Sequence, residues 1–339
     1  MRGAMQDARV RVVSDDAQGT TGMPEASPCG VIEVGGSHAT AALVTVSGPS
    51  LRVVDVATTP LDPSLPAGDL LDAFVASARS LGESTPISTE WVVAMPGPFD
   101  YERGIGIFGA VAKFDALRGV DVRAGLAARL GLPPDRISFV NDAAAYALGE
   151  WAFGADTRVD RQVCVTLGTG VGSAFLDRGR IVTRGDDVPP NGWVYPLQFD
   201  GLPLEDTIST RAIVADHAPR TGRICTVNQS AAEAAEGRAD AVAALDRAMR
   251  ALGLALAPWL ASFRADRLTV GGSMARSWPV LVGALRDGLA EGGAPIGLDV
   301  VPSALLDAAP LLGAAQWLRS LASPLSTDPP HPDPWSTRS

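Results

Sequence analysis

Two glycine turns and one carboxylate are the residues from which this chain could build chemistry. Glu33-Val34-Gly35-Gly36-Ser37 and Leu167-Gly168-Thr169-Gly170-Val171-Gly172-Ser173 each stand between apolar runs that read as strands. A turn nearly free of side chains lets backbone N–H groups approach phosphate oxygens, and two such turns in one chain suggest a nucleotide gripped between two lobes. Three alternating glycines with Thr169 among them exceed what a hairpin alone needs. Between the two turns lies Asn141-Asp142. An aspartate in that setting either caps the helix that follows or accepts a proton from a reacting hydroxyl.

The elements that must position these groups follow from apolar spacing. Residues 31–34 and 39–46 read as strands joined at Gly35-Gly36, with 51–56 as a third member of the meander. Residues 70–81 have helical spacing, and Trp91 to Met95 read as a buried strand ended by Pro96-Gly97-Pro98. Loops at the carboxyl ends of strands in α/β sheets are where ligands usually sit. A helix over 120–130, a strand over 137–140 and an Ala-rich helix over 143–151 put Asn141-Asp142 at a strand-to-helix junction. Strands over 163–167 and 173–176 flank the second turn, and another, 180–183, follows Asp177-Arg178-Gly179. Residues 231–263 read as two helices divided near Gly237-Arg238. A strand over 268–270, the turn Gly271-Gly272-Ser273 and a helix come next, and a helix over 309–321 closes an α/β fold.

Composition narrows the function classes. At 339 residues and 46% hydrophobic, the chain can bury one large core or two ordinary ones. The 28 basic against 38 acidic residues give a net charge of −10, which repels a phosphodiester backbone and disfavours nucleic acid as a partner. Cys29, Cys164 and Cys225 fall singly, with neither zinc spacing nor a disulfide framework, so a reducing cytoplasm is expected. The apolar run 252–263 is short and soon followed by Arg264 and Asp266, so no membrane span is expected. Residues 1–28 lack the apolar core of a secretory signal and read as a disordered N-terminal extension, and the Pro- and Ser-rich 323–339 as a disordered tail. The second glycine run leads into strand-like Ala174-Phe175-Leu176 instead of a helix, which removes the dinucleotide fingerprint, and no Walker loop occurs.

The series Gly35-Gly36-Ser37, Pro96-Gly97-Pro98, Asn141-Asp142-Ala143-Ala144-Ala145, Leu167-Gly168-Thr169-Gly170-Val171-Gly172 and Val270-Gly271-Gly272 resembles the ROK sugar kinases in order and spacing, from about Cys29 to Leu321. The resemblance implies the two-lobed actin-like ATPase (ribonuclease H-like) fold of the sugar kinase superfamily, whose lobes hinge around ATP, Mg²⁺ and a hexose. On that pattern a first lobe spans 29–140, with the 309–322 helix returning to it, and a second spans 141–308. Asp142 is then the base that takes the proton of the attacking sugar hydroxyl, with Asn141 contacting the sugar. Gly35, Gly36 and Ser37 with Gly168, Thr169, Gly170 and Gly172 would hold the ATP phosphates, and Gly271 and Gly272 the adenosine. Glu205, in Leu204-Glu205-Asp206-Thr207-Ile208-Ser209, matches a sugar-binding Glu of the family, and its plain alternative is an acid at a helix start. Lys113 falls opposite a family Asn that holds a sugar hydroxyl, with a surface lysine as the alternative.

The departures from the pattern are local. Glu33 stands where the family usually has Asp, near the metal-bound phosphate, and the longer carboxylate can reach Mg²⁺ through water. The stretch from Pro189 to Pro196 replaces the family's Glu-x-Gly-His motif and the zinc loop after it, and an ungapped reading puts Tyr195 opposite the missing His. His38, His217 and His331 lie elsewhere, so zinc is excluded on ligand count. Trp193 and Tyr195 either stack on a pyranose face or belong to the core. The implied reaction is transfer of the γ-phosphoryl of ATP to the 6-hydroxyl of glucose or of an aminoglucose such as kanosamine, the latter suggested by the altered pocket. Many members of the family are dimers, which leaves a homodimer open. A regulatory or non-catalytic sugar-binding protein on the same fold is the alternative. Residues 1–28 are too short and irregular for a helix-turn-helix, and Asn141-Asp142 with both turns argues against a dead sensor.

Overall fold

The apolar runs become two five-stranded sheets, each inside its own compact unit. The structure, a computed structural model, describes residues 28–47, 50–81, 88–109, 113–154, 158–221 and 227–322. The expected tails, apart from Pro28, together with Cys225 and His331 lie outside the described residues. The first unit takes the chain through Asn141 and again from Ala314, and the second is Asp142–Gly313.

In the first unit, β1 (Cys29–Val34), β2 (His38–Ser47) and β3 (Ser50–Pro60) form an antiparallel meander. The other edge of β1 pairs in parallel with β4 (Trp91–Met95). A two-residue ribbon of β5 (Phe99–Asp100) and β6 (Ile105–Gly106) follows, and β7 (Ile137–Asn141) completes the order β3-β2-β1-β4-β7. Strand β4 is buried at every residue, as its unbroken apolar run requires of a parallel strand covered on both faces.

Helix α1 (Ala67–Arg79) begins directly after Pro66 and buries Leu70, Leu71, Phe74 and Val75. Its apolar face starts later than its backbone, which is why spacing alone placed the helix at 70–81. Helix α2 (Val122–Leu130) starts two residues after the expected 120, because the Asp121 carboxylate accepts the Ala124 N–H at 2.8 Å and fixes the cap there. The core of this unit centres on Ile32, Val34, Phe74, Met95, Phe99, Phe108, Phe114 and Phe139.

The second unit repeats that sheet plan. After α3 (Asp142–Gly149) and a π-helical turn over Glu150–Gly154, the strands β8 (Arg161–Leu167), β9 (Val171–Asp177) and β10 (Arg180–Val182) form a meander. A small hairpin of β11 (Gln198–Phe199) and β12 (Leu202–Pro203) precedes the helices α4 (Glu205–Ile208), α5 (Thr210–Thr221) and α6 (Val227–Ala235). Helix α7 (Ala239–Phe263) follows the expected break at Gly237-Arg238. Then β13 (Arg267–Gly271), α8 (Trp278–Glu291) and β14 (Asp299–Pro302) complete the order β10-β9-β8-β13-β14, with β13 parallel to both β8 and β14.

Helices α7 and α8 approach at Gly253 and Gly288, where a Cβ would strike the backbone of the facing helix at Leu285 and Arg250 respectively. Helix α9 (Ala309–Ala322) ends the described chain, and the division between units falls within it. Among the described residues no helix is long and apolar enough to cross a membrane.

Candidate functional site

Within the first unit, the parallel strands β1, β4 and β7 bring the Gly35-Gly36 turn, Pro96-Gly97-Pro98 and Asn141 to one edge of the sheet. The Gly35 N–H closes the turn by donating to the His38 carbonyl at 2.9 Å. A Cβ built on Gly36 would have the Lys113 Nζ at 3.7 Å and no other atom within 4 Å. On Gly35 it would have the His38 ring at 3.3 Å. The His38 Nε2 lies 3.9 Å from the Glu33 carboxylate, and its Nδ1 lies 3.4 Å from the Ser37 hydroxyl. Glu33, Ser37, His38 and Lys113 therefore surround one turn.

Asn141 is held from the side. Its Nδ2 donates to the Tyr101 hydroxyl at 2.9 Å, and that hydroxyl donates to the Met95 carbonyl at 3.1 Å. The phenol links the ends of two neighbouring strands and orients the amide. Sequence reasoning did not single out Tyr101; its one signal was an aromatic residue in the polar run Asp100-Tyr101-Glu102-Arg103.

In the second unit Asp142 is the first residue of α3, and its Oδ1 accepts the Ala143 N–H at 2.8 Å. The positive end of the helix dipole favours a carboxylate there. A Cβ on Gly172 would lie 2.9 Å from the Ala143 Cβ and 2.5 Å from the Thr166 hydroxyl, so only glycine lets the start of α3 pack against the second turn. Gly168 is different: a Cβ there would have only the Ser273 hydroxyl nearby, at 3.6 Å.

Three contacts brace this turn. The Gly168 N–H donates to the Gly170 carbonyl at 3.0 Å, the Thr210 N–H donates to the Gly168 carbonyl at 2.9 Å, and the Val171 N–H donates to the Glu205 carboxylate at 3.3 Å. Glu205 is indeed an acid in the first turn of a helix, and its side chain reaches the glycine turn as well. The Glu205 N–H donates to the Tyr195 carbonyl at 3.2 Å. Burial, and secondly the Glu205 charge, push the Tyr195 phenol above its usual pKa.

The Tyr195 ring lies 5.7 Å from that of Trp193, tilted by 36°, and one side of it packs on the core of the unit. The buried Ser173 hydroxyl pins this loop to β9, donating to the Gly192 carbonyl at 2.7 Å and accepting the Val194 N–H at 2.9 Å.

At Gly271-Gly272 the glycines are needed for packing. A Cβ on Gly271 would enter the Tyr146 ring, and on Gly272, at φ +79°, it would strike the Leu167 backbone. The Gly272 N–H donates to the Tyr146 hydroxyl at 3.3 Å, which donates to the Ser303 hydroxyl at 2.7 Å, which donates to Glu150 at 2.5 Å. Glu150 is only 4% exposed and also accepts the Ala304 and Leu305 N–H groups at 3.1 and 2.9 Å. This buried chain ties α3 to the ends of β13 and β14. An acid within the apolar run from Tyr146 to Phe153 was the sequence signal for it.

One unit thus gathers Glu33, Gly35, Gly36, Ser37 and Lys113, with Asn141 on the same edge. The other gathers Asp142, Gly168, Thr169, Gly170, Gly172, Gly271, Gly272, Glu205 and Tyr195. Among the described residues no group of three His, Cys, Asp or Glu could hold a metal ion. A lone carboxylate, Glu33, does fit Mg²⁺, which usually keeps several waters and takes one or two carboxylates beside substrate phosphates.

Known proteins agree with the sheet plan. A profile of the ROK family matches residues 29–320. The glucokinase of Thermotoga maritima is 29% identical over 253 residues, covering 67% of this chain and 78% of that relative. Among solved structures, a ROK family glucokinase from Streptomyces griseus in complex with glucose and AMPPNP matches with a TM-score of 0.72 at 22% identity, over 87% of this chain and 100% of that one. A ROK family transcriptional regulator, a homolog of the E. coli MLC protein, matches with a TM-score of 0.70 at 21% identity, over 87% of this chain and 78% of that one. The shared fold is the actin-like ATPase fold. With the profile running from β1 into α9, this chain belongs to the ROK family.

Proposed function

We propose that the chain is an ATP-dependent hexose kinase that transfers the γ-phosphoryl group to the 6-hydroxyl of glucose or of an aminoglucose such as kanosamine. The observation that carries the reading is the start of α3, where Asp142 opens a helix packed through Ala143 against Gly172. A carboxylate and a glycine turn suited to phosphate thus lie together.

Phosphoryl transfer passes through a loose transition state, so the protein's work is mainly positioning and charge stabilisation. Asp142 orients the acceptor hydroxyl and takes its proton as the bond to phosphorus forms. Asn141, Glu205 and Tyr195 are the proposed hexose contacts. The N–H groups of the turns at Gly35-Gly36-Ser37 and 168–172 that are not already given to the His38 and Gly170 carbonyls or to Glu205 hold the phosphates, and Gly271-Gly272 lies toward the adenosine. Glu33 would hold Mg²⁺, which when bound offsets the charge of the triphosphate.

The glucokinase relative and the glucose-bound ROK structure support a hexose acceptor. The aminosugar option rests on Tyr195 standing where many members of the family carry His. The regulator among the matches favours a second reading, a sugar-binding protein without turnover.

A coupled ADP-release assay over a hexose panel that includes glucose and kanosamine, repeated with Asp142→Ala, separates the two. Turnover in the native chain and its loss in the variant are expected. Sugar binding without turnover in the native chain would establish the second reading, and full activity in the variant would remove Asp142 as the base.

A further inference from the structure

We propose that Lys113 belongs to the phosphoryl-donor side of the site, where with the Gly35-Gly36-Ser37 turn it forms a cationic clasp for the polyphosphate of the donor. The inference rests on the kinase reading and narrows it. The resemblance sets Lys113 opposite a sugar-holding Asn. Its place in the first unit is beside the turn, with Nζ 3.7 Å from where a Gly36 Cβ would stand.

The core fixes that place. The next residue, Phe114, is 1% exposed, adopts the left-handed region at φ 58°, and packs its ring 6.0 Å from Phe74 and 5.6 Å from Phe108. Its N–H donates to the Pro63 carbonyl at 3.1 Å. Lys113 therefore adjoins a residue anchored in the core.

Charge decides between the two ligands. Lys113 is half-buried and, among the described residues, has no ion pair or hydrogen bond. Glu33, the acid at the base of the turn, lies against His38. A half-buried ammonium without a partner gains much from a multiply charged anion and far less from a neutral hydroxyl. A chain of net charge −10 repels a polyphosphate at long range, so it must recruit one with local cations and aligned backbone N–H groups. The side-chain-free surface of Gly36 leaves the room such an anion needs.

Calorimetric titration of the full chain with inorganic tripolyphosphate, AMPPNP and glucose, each alone, tests the clasp in the native chain, Lys113→Ala and Lys113→Arg. The expected result is affinity for both polyphosphates lower by about tenfold or more in Lys113→Ala, largely restored in Lys113→Arg, with glucose affinity and melting temperature unchanged. Unchanged polyphosphate affinity in Lys113→Ala overturns the clasp, as does a loss confined to glucose or a native chain that binds neither polyphosphate. The readout needs no turnover. A chain that binds AMPPNP through Lys113 but phosphorylates no hexose refutes the kinase reading alone, whereas hexose turnover with donor affinity indifferent to Lys113 refutes the clasp alone.

Discussion

The two units carry the same hairpin at the same place in the same sheet plan, yet their glycines answer different demands. At Gly36 a side chain would meet nothing but the tip of Lys113. At Gly172 and Gly272 it would collide with α3, Thr166 and the Leu167 backbone. Gly36 is bare where packing does not require it, as expected of a surface that the proposed kinase would keep open for its donor, whereas Gly35 is crowded by His38. In the second unit Gly172 and Gly272 are bare because the start of α3 and the end of β13 pack closely there, whereas at Gly168 a Cβ would have only the Ser273 hydroxyl nearby. Identical residue types thus separate into glycine for access and glycine for packing, and a motif alone cannot tell them apart.

The largest expected effect bears on what the packed turn supports. Asp142→Asn keeps an acceptor for the Ala143 N–H and removes the charge, so turnover should fall about 10²- to 10⁴-fold while the melting temperature moves little. A variant that loses stability and activity together would mean that Asp142 is mainly a cap.

Gly272→Ala comes next and should act on the fold: a Cβ at positive φ against backbone costs at least about 2 kcal/mol, a melting shift of several degrees. Thermal scanning checks it. Gly36→Ala should do the opposite, raising the donor KM by about tenfold at unchanged melting temperature. Should Gly36→Ala unfold the chain, or Gly272→Ala leave it untouched, the division into access and packing is wrong.

A smaller effect compares the corresponding first strands of the two sheets, where the Cys29 thiol is half-buried and the Cys164 thiol fully buried. Burial pushes Cys29 up to about 11 from 9.0, and burial with the Glu150 charge raises Cys164 well above its usual value. Between pH 9 and 11 the unfolded chain releases a proton that the folded chain keeps at Cys29. That contribution to stability is complete below pH 9 and lost as pH rises toward 11. The fall of melting temperature over that window should be shallower in Cys29→Ala, and an identical slope would contradict the raised Cys29 thiol.

Strand and hairpin positions were legible because continuous apolar runs bounded by glycines admit few other readings, as β4 and the 168–172 turn show. Strand β14 was not, since Asp299-Val300-Val301-Pro302 is too short to carry a period and ends in a proline. Helix α5 was hidden because its residues, Pro219 among them, show little apolar periodicity.

In the candidate site, the residue types could be read from the sequence but not their company. Nothing local announces that Glu205 reaches the Val171 N–H, that Tyr101 holds Asn141, or that Lys113 stands over Gly36. Each contact joins segments distant in the chain, and tertiary packing alone creates it.

The most direct test of the kinase reading is a crystal structure of the chain with AMPPNP and the hexose that the ADP-release panel selects. The expected result is an Asp142 carboxylate oxygen about 2.6–3.2 Å from the acceptor hydroxyl, with the Gly36 and Gly168 turns on the phosphates. A carboxylate turned to solvent, with the phosphates bound away from both turns, would contradict it.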